Sequence, residues 1–314
     1  MQKVSVTFVE QPKVVELRTS DMEIPEGWIA GHTQYSLISA GTEINASYLN
    51  VFNWPRPSGS GYAAVFRVEV EAGEFHKGDL AFVCGNHASM QCCRPEDAVK
   101  LPDGLDPCHA LFARMAGVSM ASLGRVSASK GETVLVTGLG AVGLMAAQSW
   151  RCEGYTVICI EIDPKRRALA EKLGFETYEN TEAAQEYKGK IGLVLECTGV
   201  QKITAEAADM LREHGEMSLV GVPWKKTDDE DAFRLLNRIF YSYLKVYSGW
   251  EMDLTPLQRN QDYARTMQRM HAGEIRAEGL FEVRSWKDAQ AVYDGIYDKS
   301  IKSMSVMFDW RDCL

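Results

Sequence analysis

The sequence lacks the features of nucleic-acid-binding, exported and membrane-spanning proteins. Its 34 Lys and Arg are outnumbered by 43 Asp and Glu, which gives a formal net charge of −9. An acidic surface repels phosphate backbones, so no nucleic-acid partner is expected. Charged residues interrupt the opening segment, MQKVSVTFVEQPK, so no signal peptide is predicted.

The eight cysteines form no CxxC pair and follow no regular spacing. We therefore assign no disulfide and no cysteine-rich metal site from the spacing. Without an export signal, the cysteines are expected to be reduced thiols in a cytoplasmic protein.

One uncharged run, Thr133 to Trp150, is long enough to raise the question of a membrane span. Gly138, Gly140 and Gly143 divide this run into a strand, a tight turn and a helix. We therefore expect no membrane association.

Short strands punctuated by Gly and Pro dominate the first hundred residues. Strand-like segments are predicted at Val4–Val9, Trp28–Ile38 and Val65–Val70, and Lys77–Val83 is predicted as a turn leading into a fourth strand. Several short strands of this kind are typical of a small β-barrel.

Strands and helices alternate after a helix predicted at Ala110–Arg125. Strands are predicted at Thr133–Thr137, Thr156–Ile160, Gly192–Glu196, Met217–Val220 and Lys245–Tyr247, and helices at Ala141–Arg151, Pro164–Leu173, Ile203–Arg212 and Asp231–Tyr241. This alternation predicts an α/β fold with a doubly wound parallel sheet, which we assign to residues 113–250.

The tail is expected to fold back onto the N-terminal strands. It contains helices predicted at Arg259–His271 and Ser285–Tyr297, and strands predicted at Leu280–Arg284 and Ser303–Asp309. The second domain would then comprise residues 1–112 and 251–314.

A glycine-rich turn connects the first strand of the parallel sheet to its helix. Gly138-Leu-Gly140-Ala141-Val142-Gly143 matches GxGxxG in the strand–turn–helix context that a Rossmann dinucleotide site requires. The first glycine permits the turn, the second lets the backbone approach a pyrophosphate, and the third allows close helix–strand packing. The helix N-terminus would hold the anion, although a purely structural turn is the alternative.

Glu161 follows the next strand, 23 residues beyond Gly138. A carboxylate there accepts hydrogen bonds from ribose hydroxyls and repels a 2′-phosphate, which favours NAD over NADP. Arg166 and Arg167 temper this preference, because either could contact a phosphate or simply lie on a solvated helix face.

Two further loops follow strands at the edge of the sheet where ligands bind. Cys197 and Thr198 follow the third strand, and Val220 and Gly221 follow the fourth. Both loops are candidates to line the nicotinamide half of a dinucleotide, with ordinary turns as the alternative.

Nearly the whole chain resembles the medium-chain dehydrogenase/reductase superfamily, the zinc-type alcohol dehydrogenase-like proteins. The segments that carry the resemblance are Ser39–Glu43, Gly61–Ala64, Lys77–Asp79, Leu101–Gly104, Gly138–Gly143, Glu196–Gly199 and Phe308–Trp310. The resemblance implies a GroES-like β-barrel catalytic domain, a Rossmann domain and a homodimer. Ser39–Glu43 and the Gly61-Tyr62 pair are particularly similar to bacteriochlorophyllide and sugar-pathway dehydrogenases.

The chain departs from its zinc-dependent relatives at the metal ligands. Ala40, Tyr62 and Met115 stand where the resemblance places a cysteine, a histidine and a later cysteine. Ala and Met cannot supply the nitrogen or thiolate donors that zinc prefers, and a neutral Tyr is a poor ligand. The cysteine-rich structural zinc lobe is also missing between Cys93 and Leu101. We therefore expect no zinc.

The resemblance also suggests which side chains would act in place of zinc. Tyr62 replaces a histidine ligand, Thr42 aligns with a proton-relay hydroxyl, and Ser119 aligns with a residue that contacts nicotinamide. The alternatives are a packing tyrosine, a turn-capping hydroxyl and a helix-internal serine.

His87 follows a predicted strand and is a candidate to enter the substrate cleft, with a structural histidine as the alternative. Glu43 is a possible base, but we expect it rather to be a buried partner for the backbone or an arginine.

These observations predict a zinc-independent NAD-dependent oxidoreductase that acts on a small secondary alcohol or ketone, for example a sugar or cyclic alcohol. An enone or quinone reductase is a close alternative. A dinucleotide-binding redox sensor without catalysis is the second class, because lost metal ligands beside an intact dinucleotide site suit both.

Overall fold

A computed structural model describes residues 1–224 and 229–313. The strands are β1 (Gln2–Phe8), β2 (Val15–Asp21), β3 (Ile29–Leu37), β4 (Ser58–Gly59), β5 (Ala63–Val70), β6 (Leu80–Val83), β7 (Met90–Cys93), β8 (Ala98–Lys100), β9 (Thr133–Thr137), β10 (Thr156–Ile160), β11 (Glu176–Tyr178), β12 (Ile191–Glu196), β13 (Leu211–Leu219), β14 (Lys245–Ser248), β15 (Phe281–Ser285) and β16 (Ser305–Asp309).

The helices are α1 (Ala40–Thr42), α2 (Pro107–Met120), α3 (Ala141–Cys152), α4 (Pro164–Lys172), α5 (Gln201–Met210), α6 (Asp229–Tyr241), α7 (Pro256–His271) and α8 (Ala289–Tyr297). A π-helical segment, Glu43–Tyr48, continues α1 directly.

The chain divides into two compact units. Unit 1 comprises Met1–Arg114 and Pro256–Leu314, and unit 2 comprises Met115–Thr255. No helix within 1–224 or 229–313 combines the length and apolar character needed to cross a bilayer.

Unit 1 is built on two sheets. The larger has the order β15-β16-β3-β5-β6-β8, with β7 also paired to β3, and the smaller has the order β2-β1-β4. β3 is the central strand, because β5, β7 and β16 all pair with it in antiparallel register. A hydrophobic core of unit 1 packs α8 and β16 against β1, through residues that include Phe8, Tyr48, Tyr293, Phe308 and Trp310.

Unit 2 contains a wholly parallel sheet with the order β11-β10-β9-β12-β13-β14. Its strands are mostly buried, which is why they read as near-continuous apolar runs. β9 and β12 are neighbours at the point where the strand order reverses, where doubly wound sheets bind ligands. Thr137 pairs with both Ile160 and Glu196, so the carboxyl ends of β9, β10 and β12 lie level.

The sequence predicts β9, β10, β12 and β14 closely, but β13 begins at Leu211 instead of Met217, and β11 and several strands of unit 1 were not predicted. β2 was missed because its side chains are mostly exposed and polar, without an apolar alternation. The helix predicted at Ile203–Arg212 ends at Met210, and Leu211 and Arg212 begin β13 instead. The helix predicted at Ala110–Arg125 ends at Met120.

Candidate functional site

The glycine-rich turn lies between β9 and α3, at the carboxyl edge of the parallel sheet. Gly138 adopts a φ of +81°, and its N–H donates to the carbonyl of Ile160 at 2.7 Å. A Cβ on Gly143 would overlap the carbonyl oxygen of Gly138, so glycine is required for this packing. A Cβ on Gly140 would meet no atom within 4 Å. The surface beside Gly140 is therefore open, as close approach of a ligand to the backbone requires.

The first turn of α3 is not capped by a side chain. Gly140 is the N-cap residue and has none to offer. The first N–H groups of a helix have no partner within it, so Ala141, Val142 and Gly143 present donors at the positive end of the helix dipole. An uncapped helix terminus beside an open surface fits a phosphate group.

Glu161 is anchored against the same turn. Its side chain is buried, and its two carboxylate oxygens accept hydrogen bonds from the N–H of Leu139 at 2.6 Å and of Asp163 at 2.9 Å. Each carboxylate oxygen can accept a further bond, so the group remains able to accept from a hydroxyl.

Arg166 lies beside this carboxylate, with its guanidinium 3.7 Å from Glu161 Oε2. Arg167 instead donates to the backbone oxygens of Glu161 and Ile162. The sequence did not distinguish the roles of these two arginines, but their contacts differ: Arg166 lies near the Glu161 carboxylate, whereas Arg167 donates to backbone oxygens.

Glu196 orders the loop that follows β12. Its buried carboxylate accepts from the backbone N–H of Thr198 at 2.8 Å and of Gly199 at 3.0 Å, and from the Thr198 hydroxyl. Burial raises the pKa of Glu196 even though these hydrogen bonds oppose the shift. Glu196 belongs to the Glu196–Gly199 segment singled out in the sequence, but its role as the anchor of this loop was not predicted.

Cys197 is bonded through its backbone N–H to the carbonyl of Thr137 at 3.0 Å. Burial, and after it the charge of Glu196, raises the pKa of the Cys197 thiol well above its ordinary value. A thiol in this setting is not a thiolate nucleophile at neutral pH.

The loop after β13 packs directly on the loop after β12. The N–H groups of Val220 and Gly221 both donate to the carbonyl of Glu196, at 2.9 and 2.7 Å. A Cβ on Gly221 would overlap the backbone nitrogen of Gly199. Backbone contacts therefore bring both predicted loops to the same edge of the sheet as the glycine-rich turn.

Ser119 is fully buried in α2, and its hydroxyl donates to the carbonyl of Ala116 at 3.0 Å. This bond lies within the helix itself, which matches the helix-internal alternative. Nothing in the geometry of unit 2 assigns Ser119 to a cofactor.

Two of the three predicted catalytic residues have exposed surface in unit 1. Thr42 is exposed at the end of α1. Tyr62 is partly exposed, and the guanidinium of Arg114 lies 4.4 Å from its ring centroid and donates to its carbonyl at 2.7 Å. Hydroxyl groups at these two positions could donate to a substrate oxygen.

His87 is placed differently from the sequence prediction. Its imidazole is fully buried rather than lining an open cleft. Nδ1 lies 2.7 Å from the hydroxyl of Ser36, and Nε2 lies 3.1 Å from the Glu43 carboxylate. The physical reason is that the polar neighbours of the ring are themselves in the core, so the ring is satisfied without solvent.

Glu43 is buried and has a backbone partner, as expected, and its other partners are Tyr293 and His87. Its Oε1 accepts from the N–H of Ser39 at 2.7 Å, and its Oε2 accepts from the hydroxyl of Tyr293 at 2.6 Å. Burial, followed by the negative charge of Glu43, raises the pKa of Tyr293 well above its ordinary value. Tyr293 therefore acts as a hydrogen-bond donor to Glu43.

No group of three or more His, Cys, Asp or Glu side chains within 1–224 and 229–313 is arranged to share a metal ion. At the positions of the expected zinc ligands, Ala40 is partly buried, Tyr62 lies beneath Arg114, and Met115 is buried.

Comparison with known proteins gives a family match over residues 141–271, to the zinc-binding dehydrogenases. A sorbitol dehydrogenase of Halalkalibacterium halodurans is 28% identical over 196 residues, covering 58% of this chain and 57% of that protein. An alcohol dehydrogenase of Rhizobium meliloti is 33% identical over 148 residues, covering 45% and 44%. The chain thus spans about half the length of the curated relatives it matches.

The fold is shared with solved dehydrogenase structures. Acetophenone reductase from Geotrichum candidum, solved in complex with NAD, superposes with a TM-score of 0.81 at 16% identity, over 100% of this chain and 98% of that one. Residues 141–271 are therefore similar to the zinc-binding dehydrogenases, and the fold of the chain is that of the solved acetophenone reductase.

Proposed function

We propose that this protein is a nicotinamide-dependent oxidoreductase that interconverts a secondary alcohol and a ketone. The observation that carries the proposal is the open surface at Gly140 beside the uncapped N-terminus of α3. Donor groups and space for an anion coincide there, at the switch point of a doubly wound sheet. The alcohol and sorbitol dehydrogenases among the relatives support a substrate of the alcohol or polyol class.

In this proposal the chain's own residues bind and orient the reactants. The N–H groups of Ala141 and Val142 hold the pyrophosphate, and Glu161 accepts hydrogen bonds from the ribose hydroxyls, which favours NAD over NADP. Bound nicotinamide supplies or accepts the hydride. Tyr62 and Thr42 donate hydrogen bonds to the substrate oxygen as its charge changes.

The proposed chemistry is independent of zinc. Ala40, Tyr62 and Met115 do not fit a zinc ion, because none supplies a thiolate, an imidazole or a carboxylate. In this proposal hydrogen-bond donors, in place of a metal ion, polarise the substrate oxygen.

We further propose a homodimer formed through β14. This strand ends the parallel sheet, and Lys245, Val246 and Ser248 on it are exposed. An exposed edge favours pairing with another chain, and two-fold closure is the commonest result. Light scattering at micromolar concentration is expected to give twice the chain mass, and a monomer would refute this arrangement.

The activity is tested by following NADH oxidation across a panel of ketones, enones and quinones, and NAD reduction with secondary alcohols that include sorbitol. We expect turnover with a ketone–alcohol pair. A Gly140→Val variant is the matched control, because its side chain occupies the open surface beside α3. Turnover that depends on a cofactor bound there should be lost, whereas turnover by a contaminating enzyme should remain.

The other outcomes identify the alternatives. Turnover confined to enones or quinones would replace the proposal with a reductase of those substrates. Tight NADH binding without turnover of any panel member would contradict catalysis and favour a redox sensor.

A further inference from the structure

Thr42 lies inside a small ring closed by two hydrogen bonds. The backbone N–H of Glu43 donates to the carbonyl of Ser39 at 2.7 Å, and the backbone N–H of Ser39 donates to the Glu43 carboxylate, also at 2.7 Å. The π-helical segment Glu43–Tyr48 follows at once. Such segments are rare and often mark functional sites.

The second oxygen of the Glu43 carboxylate is fixed from two distant parts of unit 1. Tyr293, on α8, donates its hydroxyl at 2.6 Å, and His87, in the loop after β6, has Nε2 at 3.1 Å. Both of these side chains are fully buried. Glu43 therefore connects the ring around Thr42 to two elements that cannot easily move.

The protons in this cluster can be assigned by following the donors. The Nε1–H of Trp310 can only donate, and it lies 2.8 Å from the Ser36 hydroxyl oxygen. The Ser36 hydroxyl can then donate to Nδ1 of His87 at 2.7 Å. Nε2 of His87 faces a carboxylate oxygen, which accepts, so Nε2 is the donor to Glu43.

Three donors contact the Glu43 carboxylate: the Ser39 N–H, the His87 Nε2–H and the Tyr293 hydroxyl. A buried carboxylate is costly unless it is hydrogen-bonded, so the loss of any donor affects the position of the whole group. His87 in this arrangement supports Glu43 and does not exchange protons with a substrate.

We propose that Glu43 is a positioning residue for Thr42. Its carboxylate, locked by Tyr293 and His87, holds the Ser39–Glu43 ring so that the exposed Thr42 hydroxyl meets the substrate oxygen. This inference rests on the proposed oxidoreductase function. A group that must be placed within a fraction of an ångström is sensitive to losses in its support, even when the supporting residue never touches the substrate.

The test compares Tyr293→Phe with Tyr155→Phe. Each removes one buried tyrosine hydroxyl, but Tyr155 donates to the carbonyl of Ala128 in unit 2, outside the cluster. Amide hydrogen exchange is measured at Ser39 and Glu43, and kcat and KM are measured for the best substrate found.

We expect Tyr293→Phe to speed amide exchange at Ser39 about tenfold and to lower kcat about tenfold, with the KM for NADH unchanged. The reason is that a hydrogen bond to a carboxylate contributes about 1.5 kcal/mol, which corresponds to a factor of about ten. Tyr155→Phe should leave exchange at Ser39 and kcat within about twofold of the wild type. If Tyr293 had only a structural role, kcat would fall in both Tyr293→Phe and Tyr155→Phe or in neither of them.

A double-variant cycle with Glu43→Gln strengthens the assignment, because residues that act through one contact are not additive. We expect the Tyr293→Phe, Glu43→Gln double variant to have the same kcat as the less active of the two single variants. Additive losses in kcat would overturn the proposal.

The exchange measurement separates this inference from the proposed function. Unchanged exchange at Ser39 in Tyr293→Phe would overturn the positioning role whatever the activity. Faster exchange in a protein whose wild type turns over no substrate would overturn the oxidoreductase function, and with it any catalytic role for Thr42.

Discussion

Close packing of glycines shapes the turn of unit 2 in addition to the Glu161 and Glu196 side chains, whereas the Thr42 segment of unit 1 depends on a buried cluster of side chains. In the turn, Gly138 and Gly143 pack with no room for a Cβ, and β12 and β13 contribute loops that touch through their main chains. Around Thr42, the position depends on Glu43, His87 and Tyr293. The first arrangement is sensitive to added atoms and the second to lost polar groups.

The largest effect should come from breaking the buried side-chain cluster. We expect His87→Leu to lower the free energy of unfolding by about 3–5 kcal/mol, because Glu43 would lose a donor in the core. Denaturant unfolding followed by circular dichroism measures the change.

His32→Leu is the matched control for that experiment. His32 lies 2.8 Å from Glu69, a similar pair, but both side chains are partly exposed. We expect a loss of less than about 1 kcal/mol there, since exposed pairs contribute little. Equal losses in the two variants would contradict the importance of burial.

Adding atoms should break the packing of the glycine-rich turn. We expect Gly143→Ala to lower the free energy of unfolding by about 3 kcal/mol, because its Cβ overlaps the Gly138 carbonyl. Gly140→Ala should change stability by less than about 0.5 kcal/mol, since that Cβ meets no atom within 4 Å.

The same pair of variants separates folding from binding. Gly140→Ala should still weaken NADH binding about tenfold, roughly 1.4 kcal/mol, by occupying space that the ligand needs. Titration by NADH fluorescence measures this. Undiminished affinity in Gly140→Ala would show that the pyrophosphate does not lie there.

Substitution of Glu161 should have a smaller effect, on the preference for NADH over NADPH. Wild type is expected to bind NADH more tightly than NADPH, and Glu161→Ala should narrow the ratio of the two dissociation constants by about tenfold. Glu161→Gln removes the charge but retains an acceptor for the Leu139 N–H, and so controls for damage to the turn. Tighter binding of NADPH by the wild type would refute the preference.

The smallest expected effect is that of a chelator. Activity should survive EDTA unchanged, and elemental analysis should find no stoichiometric zinc, because Ala40, Tyr62 and Met115 lack suitable donors. One zinc per chain, or an EDTA loss that added zinc restores, would contradict this.

The two regions also differ in how much the sequence reveals. The glycine-rich turn is encoded locally, since a strand, the glycines and a helix follow one another between Thr133 and Cys152. The position of Glu161 beside the turn could be predicted because its spacing from Gly138 is fixed by the same strand–turn–helix–strand unit. Even there, the role of Glu196 as an anchor depends on burial that spacing does not report.

The unit 1 cluster could not be predicted because its members are far apart in the chain. Ser36 and Trp310 are separated by 274 positions, and Glu43 and Tyr293 by 250. No periodic pattern connects such residues. The enclosed position of His87 follows only when Ser36 and Glu43 are seen on either side of its ring.

The discontinuous layout of unit 1 has a consequence for how the chain is made. Met307 of β16 pairs with Leu37 of β3, and at ~5–20 residues per second the ribosome needs tens of seconds to make the chain between them. Unit 2 is continuous and emerges whole during that interval. One edge of β3 therefore waits without its β16 partner until the whole of unit 2 has been made, and an unpaired strand edge of this kind is prone to aggregation.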